Sequence, residues 1–176
     1  SQAIHYDFKH TYKRQLQSTN TDKLYQLTDG KHNYLVKIAL KSELDRLESE
    51  AIGLKQLTQN SVFMVPDCIV TGANIEFSFI VLEWLVLDKQ PHTHWHDMGK
   101  QLAMLHQKHD QAMFGFDVDN YLATTVQPNQ WHKKWDLFYA EERIGWQLQL
   151  LAEKGIQLVE PELLINLVKE QLHSHI

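Results

Sequence analysis

Lys37, Glu50 and Glu83 are the residues whose order along the chain suggests chemistry. Lys37 stands in the strand-like run Tyr34-Leu35-Val36-Lys37-Ile38, among apolar neighbours. A cation so placed can neutralise phosphate charge, and a carboxylate on the following helix can pair with it and fix its position. Periodicity does not choose that partner, because Glu48 and Glu50 flank the apolar face of their helix about equally. A lone strand lysine is also the ordinary form of a solvated edge charge. Other candidates carry less. His92, His94 and His96 alternate, and zinc sites use such spacing, but no H-E-x-x-H is present and a solvated turn is the better reading. Asp117-x-Asp119-Asn120 hints at a calcium loop, yet Leu122 stands where that loop needs glycine and Pro128 where it needs glutamate. His106 reads as a structural histidine on an amphipathic helix. Cys68 is the single cysteine, so no internal disulfide and no CxxC zinc site is available. Its apolar stretch suggests a buried, inert thiol. The seven glycines are scattered, and neither GxGxxG nor GxxxxGK[ST] can be written.

The elements that must hold these residues follow from pattern. Lys23 to Leu27 and Tyr34 to Ala39 read as strands, and Asp29-Gly30 between them is a strong hairpin signal. A helix should follow, capped by Ser42 with Asp45 as its capping-box partner, and with Leu44, Leu47, Ala51 and Leu54 on one face. Val65-Pro66 breaks that pattern. Asp67 to Thr71 and Glu76 to Glu83 predict two further strands, the second nearly continuous in apolar residues and therefore central. After Asp88 the chain turns helical. The spacing predicts helices over Trp95 to His109, over Trp131 to Glu153 with Gly155 ending it, and from Pro161 onward. Phe114 to Asn129 is turn-rich. Strands around one helix, then helices alone, is an α+β arrangement with two lobes, bounded at 1–87 and 88–176.

Composition removes several classes. The chain has 176 residues and a formal net charge of −5, so it lacks the basic surplus that nonspecific nucleic-acid binding needs. Hydrophobic residues make up 43% and charged residues 22%, which argues for a folded globule. Apolar runs as short as Phe79-Ile80-Val81-Leu82 exclude a membrane span. Ser1 to Tyr12 lacks the basic start and apolar stretch of a signal peptide. With one cysteine, a cytoplasmic protein is expected.

A strand lysine, a helix glutamate and a strand ending in an acidic residue is also the order of a protein-kinase-like small lobe. The wider text is more specific. Tyr34 to Ile38, Glu50-Ala51-Ile52-Gly53-Leu54, Val65-Pro66, Phe79 to Glu83 and Gly99 to His106 resemble the fructosamine kinase, or ketosamine-3-kinase, family. The likeness is strongest in Phe114-Gly115-Phe116-Asp117-Val118-Asp119-Asn120 and Gln127-Pro128-Asn129-Gln130-Trp131, and it continues through Trp135 to Tyr139 and Arg143 to Leu148. The resemblance implies a kinase that uses Mg-ATP to phosphorylate the third hydroxyl of a sugar attached to an amine. Glycated small amines or glycated protein lysines would be its partners, and repair of glycation its outcome. On this carry-over Lys37 holds the α- and β-phosphates and Glu50 orients it. Glu83, Trp84 and Leu85 form a hinge whose backbone meets adenine. Ser18, Thr19 and Asn20 lie over the phosphates, and Gln127, Asn129 and Trp131 lie toward the substrate.

The chain departs from the family twice. Its loop over the phosphates, Gln17 to Asp22, has no glycine, which limits the approach of backbone to phosphate. No His-Gly-Asp segment, catalytic-loop asparagine or metal-binding aspartate occurs, so no catalytic or metal-ligating residue is assigned, and the chain is expected to be truncated before the catalytic loop. Helices around Leu102 and Leu148 would then expose apolar faces and favour a homo-oligomer. A non-catalytic nucleotide- or protein-binding remnant is the alternative, as is a relative acting on aminoglycosides or choline-type alcohols. The Gln127-Pro128-Asn129 segment argues against that last reading.

Overall fold

The computed structural model describes residues 8–60, 62–87, 95–108, 111–157 and 159–173. His92, His94 and the expected lobe boundary at 87/88 touch or lie outside them. By proximity the chain divides into two compact units, Ser1–Lys108 and His109–Ile176.

The first unit is built on a five-stranded antiparallel sheet of β1 (Tyr12–Ser18), β2 (Lys23–Thr28), β3 (Asn33–Leu40), β4 (Cys68–Ala73) and β5 (Phe77–Glu83), ordered β1-β2-β3-β5-β4. The Asp29-Gly30 hairpin forms as its sequence predicts. The Asp29 carboxylate accepts from the Lys31 and His32 N–H groups at 2.9 and 2.7 Å, and Gly30 takes φ +91°. In the next turn Asn74 Oδ1 accepts from the N–H groups of Glu76 and Phe77. Period-two alternation buries Ser78, Ile80 and Leu82 of β5 on one face. Cross-strand register sets Ala39, Lys37 and Leu35 of β3 opposite those three. Helix α1 (Leu44–Asn60) packs there, so that Leu47, Ala39, Ile80 and Leu82 form the core, with Leu35, Ala51, Leu54 and Cys68 against it. Lys37 thus faces the helix.

One sequence expectation gives way here, and one strand is added. Ser42 does not cap α1. It lies inside a 3-10 turn, Lys41–Glu43, that runs directly into the helix, so the backbone is already helical where a cap needs extended geometry. The edge strand β1 carried no strand signal because all seven of its residues are exposed, leaving no buried alternation to read. Its charges Lys13 and Arg14 and its irregular register at Gln15/Gln17 suit an edge. β5 is interior, beside β3, as its apolar run predicts. The unit also includes α2 (Trp95–His106), on which His106 is exposed.

In the second unit the turn-rich stretch holds a short hairpin, β6 (Asn120–Leu122) and β7 (Thr125–Gln127). The helix expected from Trp131 starts only at Trp135, because Phe114 and His132 exchange backbone hydrogen bonds that keep His132 extended. It is also not one α-helix. α3 (Trp135–Phe138) passes through a π-helical segment, Tyr139–Gly145, into α4 (Trp146–Glu153). Gly145 sits under Ile165 of α5 (Pro161–His173), where a Cβ would come within 3.2 Å of that side chain. Gly155, at φ +73°, ends α4, with the Gly155 and Ile156 N–H groups returning to the carbonyls of Ala152 and Leu151.

Gly115 is a position that admits no side chain. Its φ is +153°, and a Cβ would stand 2.9 Å from both Gln130 O and Trp131 Cα. Backbone atoms cannot swing aside, so Gly115→Ala is expected to cost about 3 kcal/mol, the upper end of overpacking penalties. Denaturant melts followed by tryptophan fluorescence check this, and an unchanged midpoint would contradict it.

Candidate functional site

In the first unit β3 and α1 bring together the two residues that the sequence set apart. Lys37 Nζ donates to both oxygens of the Glu50 carboxylate, at 2.7 and 2.6 Å, across thirteen residues of chain. Glu48 is exposed, so packing makes the choice that periodicity left open. Both side chains of the pair are only partly buried, at 21% and 30% exposure, so the ammonium remains reachable by an anion.

The β1–β2 connection runs from Ser18 to Lys23, which are register partners. Thr19 organises it. Its N–H donates to Asp22 O at 2.8 Å, and its Oγ1 accepts from the N–H groups of Thr21 and Asp22. The Thr19 hydroxyl also donates to Asp22 O at 3.2 Å, so it is engaged within the turn, whereas the Ser18 and Asn20 side chains are exposed. The turn is tied to α1. Arg46 Nη2 donates to Asp22 Oδ1 at 2.6 Å, and Arg46 Nε donates to Glu43 Oε2 at 2.8 Å. Burial alone would lower the guanidinium pKa, but the hydrogen bonds it donates to these two carboxylates raise it above the ordinary value. Arg46 was not singled out in the sequence. Its local signals are Glu43 three residues before it and Glu50 four residues after it.

At the end of β5, the Glu83 N–H donates to Asp67 O at 2.9 Å, and its carboxylate accepts from the Asp67 N–H at 3.3 Å. Trp84 and Leu85 follow, half-buried. Cys68, in β4, is half-buried, and burial pushes its thiol pKa up, away from the reactive thiolate.

In the second unit a buried polar cluster holds the Gln127–Trp131 segment. Gln127 lies in β7 opposite Asn120. Asn129 is only 3% exposed. Its N–H donates to Asp119 Oδ1 and its amide to Val118 O, each at 3.0 Å, while its Oδ1 accepts from Arg143 Nη2 at 2.5 Å. Arg143 Nη1 donates to Pro128 O at 2.6 Å, and the guanidinium lies 4.6 Å from the centroid of the Phe138 ring. Burial lowers the Arg143 pKa, opposed by Glu142 and Asp119. Trp146 Nε1 donates to Val126 O, and His132 Nε2 meets buried Glu142 at 2.9 Å. The amide of Asn129 is therefore used inside the unit, while Trp131 is 38% exposed. Trp135 belongs to an aromatic cluster with Phe114, Phe138 and Tyr139. Arg143, half-buried, was missed because its partners lie 14 and 15 residues away.

Asp136 and His173 join α3 to α5 at 3.1 Å. Burial raises the Asp136 carboxyl pKa, but the Leu137 N–H and the His173 ring outweigh it and hold the group below its ordinary value. A carboxylate depressed on folding stabilises above its unfolded pKa, and that stabilisation is lost as pH falls through the folded value. Thermal midpoints of the parent and of Asp136→Asn should therefore differ above about pH 4 and converge below it. A constant gap down to about pH 2 would contradict this.

Among the described residues no group of three or more His, Cys, Asp or Glu is placed to hold a metal ion. Among them, too, no helix is long and apolar enough to cross a membrane.

The chain is similar to known proteins along nearly its whole length. The "probable ketoamine kinase" of Vibrio parahaemolyticus is 42% identical over 99% of this chain and 61% of its own length. That of Vibrio cholerae is 36% identical over the same shares. A crystal structure of a Haemophilus somnus protein described as a fructosamine-3-kinase superposes with a TM-score of 0.88 at 30% identity, over 99% of this chain and 59% of that one. The chain thus spans about three-fifths of the length of the relatives it matches. The family model described as fructosamine kinase matches residues 1–176, and the chain belongs to that family.

Proposed function

We propose that this chain supplies the ATP-binding part of a kinase that phosphorylates the sugar of glycated amines, small or protein-borne. The observation that carries the reading is the two-pronged Lys37–Glu50 pair, a part-exposed ammonium held by its own carboxylate. Phosphoryl transfer rests on positioning and on charge stabilisation, and such a lysine does both for the α- and β-phosphates. In this reading the nucleotide elements lie in 1–87 and a partial helical lobe in 88–176. The exposed Ser18 and Asn20 side chains and the Thr19 turn cover the phosphates. Because the Glu83 N–H is spent on Asp67, adenine is read by the Glu83 carbonyl and by the backbone of Trp84 and Leu85. Gln127 and Trp131 meet the substrate, and Asn129 holds their segment in shape. Magnesium would accompany ATP and neutralise phosphate charge. Among the described residues no cluster of His, Cys, Asp or Glu is placed to hold it.

A second reading is that residues 1–176 bind nucleotide without turnover. Calorimetric titration with Mg-ATP, followed by an assay of fructoselysine-dependent ADP release, separates the two. Binding with release supports the kinase reading, binding without release supports the second, and no binding overturns both. We further propose a cytoplasmic location, and self-association through the exposed Trp95, Met98 and Leu102 of α2. A monodisperse monomer in light scattering at high concentration would contradict the latter.

A further inference from the structure

We propose that Arg46 is a positioning residue that holds the glycine-free β1–β2 turn in place and keeps the Asp22 carboxylate away from the nucleotide phosphates. The inference rests on the nucleotide reading above.

The chain must solve two problems at this turn. Every residue from Gln17 to Asp22 carries a Cβ, so the turn cannot flex as a glycine-rich loop does. It also carries an acid, Asp22, in the segment assigned to cover phosphates. An uncompensated carboxylate there repels the anion that the turn is meant to receive. Arg46 answers both. It is buried at 7% exposure, yet all the partners the structure gives its guanidinium are carboxylates. Nη2 and Nη1 reach the two oxygens of Asp22 at 2.6 and 3.4 Å, and Nε takes Glu43 at 2.8 Å. A planar fork meeting a carboxylate from two nitrogens fixes direction as well as distance. Thr21 Oγ1 donates to Asp22 Oδ2 at 3.2 Å, and the Thr19 N–H and Oγ1 hold the Asp22 backbone, so what fixes Asp22 fixes the turn.

The arrangement also couples this turn to the lysine. Arg46 and Glu50 stand one helical turn apart on the same face of α1. Arg46 anchors the residue that precedes β2, and Glu50 anchors Lys37 of β3, whose register partner in β2 is Leu24. One helix face thus sets both the turn and the phosphate-binding ammonium.

The test is the affinity of the chain for ATP and for adenosine, which lacks phosphates, in the parent and in Arg46→Ala, Arg46→Lys and the double variant Arg46→Ala/Asp22→Asn. Arg46→Ala is expected to weaken ATP about tenfold and adenosine less than about twofold, because only the phosphates meet the freed carboxylate. The double variant should recover ATP affinity to within about threefold of the parent, since the stranded charge is gone. Unchanged ATP affinity in Arg46→Ala, or equal losses for ATP and adenosine, overturns the proposal. Should Arg46→Ala fail to fold by circular dichroism, the ATP-to-adenosine ratio of Arg46→Lys decides in the same way. It should fall about threefold, because the two-pronged geometry is lost. A parent chain that binds neither ligand overturns the nucleotide reading itself, and this proposal with it.

Discussion

Replacing Lys37 by methionine is expected to weaken Mg-ATP binding by about 30–100-fold while adenosine binding changes little. A charge-assisted contact to phosphate contributes about 2–3 kcal/mol, and about 1.4 kcal/mol is tenfold in affinity. Methionine keeps the stem of the lysine and its packing on the helix-facing side of β3, so the change isolates the charge. Glu50→Gln should cost less, about tenfold, because the ammonium survives and loses only its two-pronged anchor. Stability should fall by no more than about 1 kcal/mol in either variant, since the pair is partly open to solvent. Calorimetric titration with ATP and adenosine, beside a thermal melt, reads all of this. Equal ATP affinity in parent and Lys37→Met would remove the observation on which the proposed function stands.

Arg143→Met should be the most damaging substitution in the second unit. It takes the donors from Pro128 O and Asn129 Oδ1, removes the cation from the Phe138 ring and takes away a positive charge that acts on Asp119 and Glu142. Leaving the Asn129 and Pro128 oxygens without their donor costs about 1–3 kcal/mol each, together a large share of the roughly 5–15 kcal/mol that holds a domain together. Arg143→Lys keeps the charge but cannot reach Pro128 and Asn129 with two nitrogens at once, so about half of the loss is expected to remain. Trp131, Trp135 and Trp146 all lie in this unit and report its melting by fluorescence. Loss of hydrogen-exchange protection at the Asn129 amide, which donates to Asp119, would locate the damage. A midpoint within about one degree of the parent would mean that the cluster tolerates a neutral side chain and that its geometry comes from elsewhere.

What was legible in the amino-acid order was what short stretches dictate. Asp29-Gly30 makes its turn through its own side chain and its own positive φ. Gly155 ends a helix and Pro161 begins one because their backbones permit little else there. The apolar run of β5 marks an interior strand, which pairs with β3 on one edge and β4 on the other. The lysine could be placed on a strand and the family resemblance read from short segments for the same reason, as both are properties of contiguous sequence.

Packing supplied the rest. Glu48 and Glu50 are equivalent on a helical wheel, and only the docking of Leu47 and Ala51 on β5 and β3 turns Glu50 toward Lys37. β1 was invisible because hydrogen bonds to β2, not burial, hold it. Ser42 lost its cap because the chain entered the helix through a 3-10 turn. The π-helical segment, the burial of Asn129 and the anchoring roles of Arg46 and Arg143 depend on partners up to 24 residues away. An ion pair between distant residues leaves no local period or turn signal, because each partner is an ordinary charged side chain until the fold removes it from water. Local order along this chain therefore set which charged residues stand on which elements, and the three-dimensional packing chose which of them are held together.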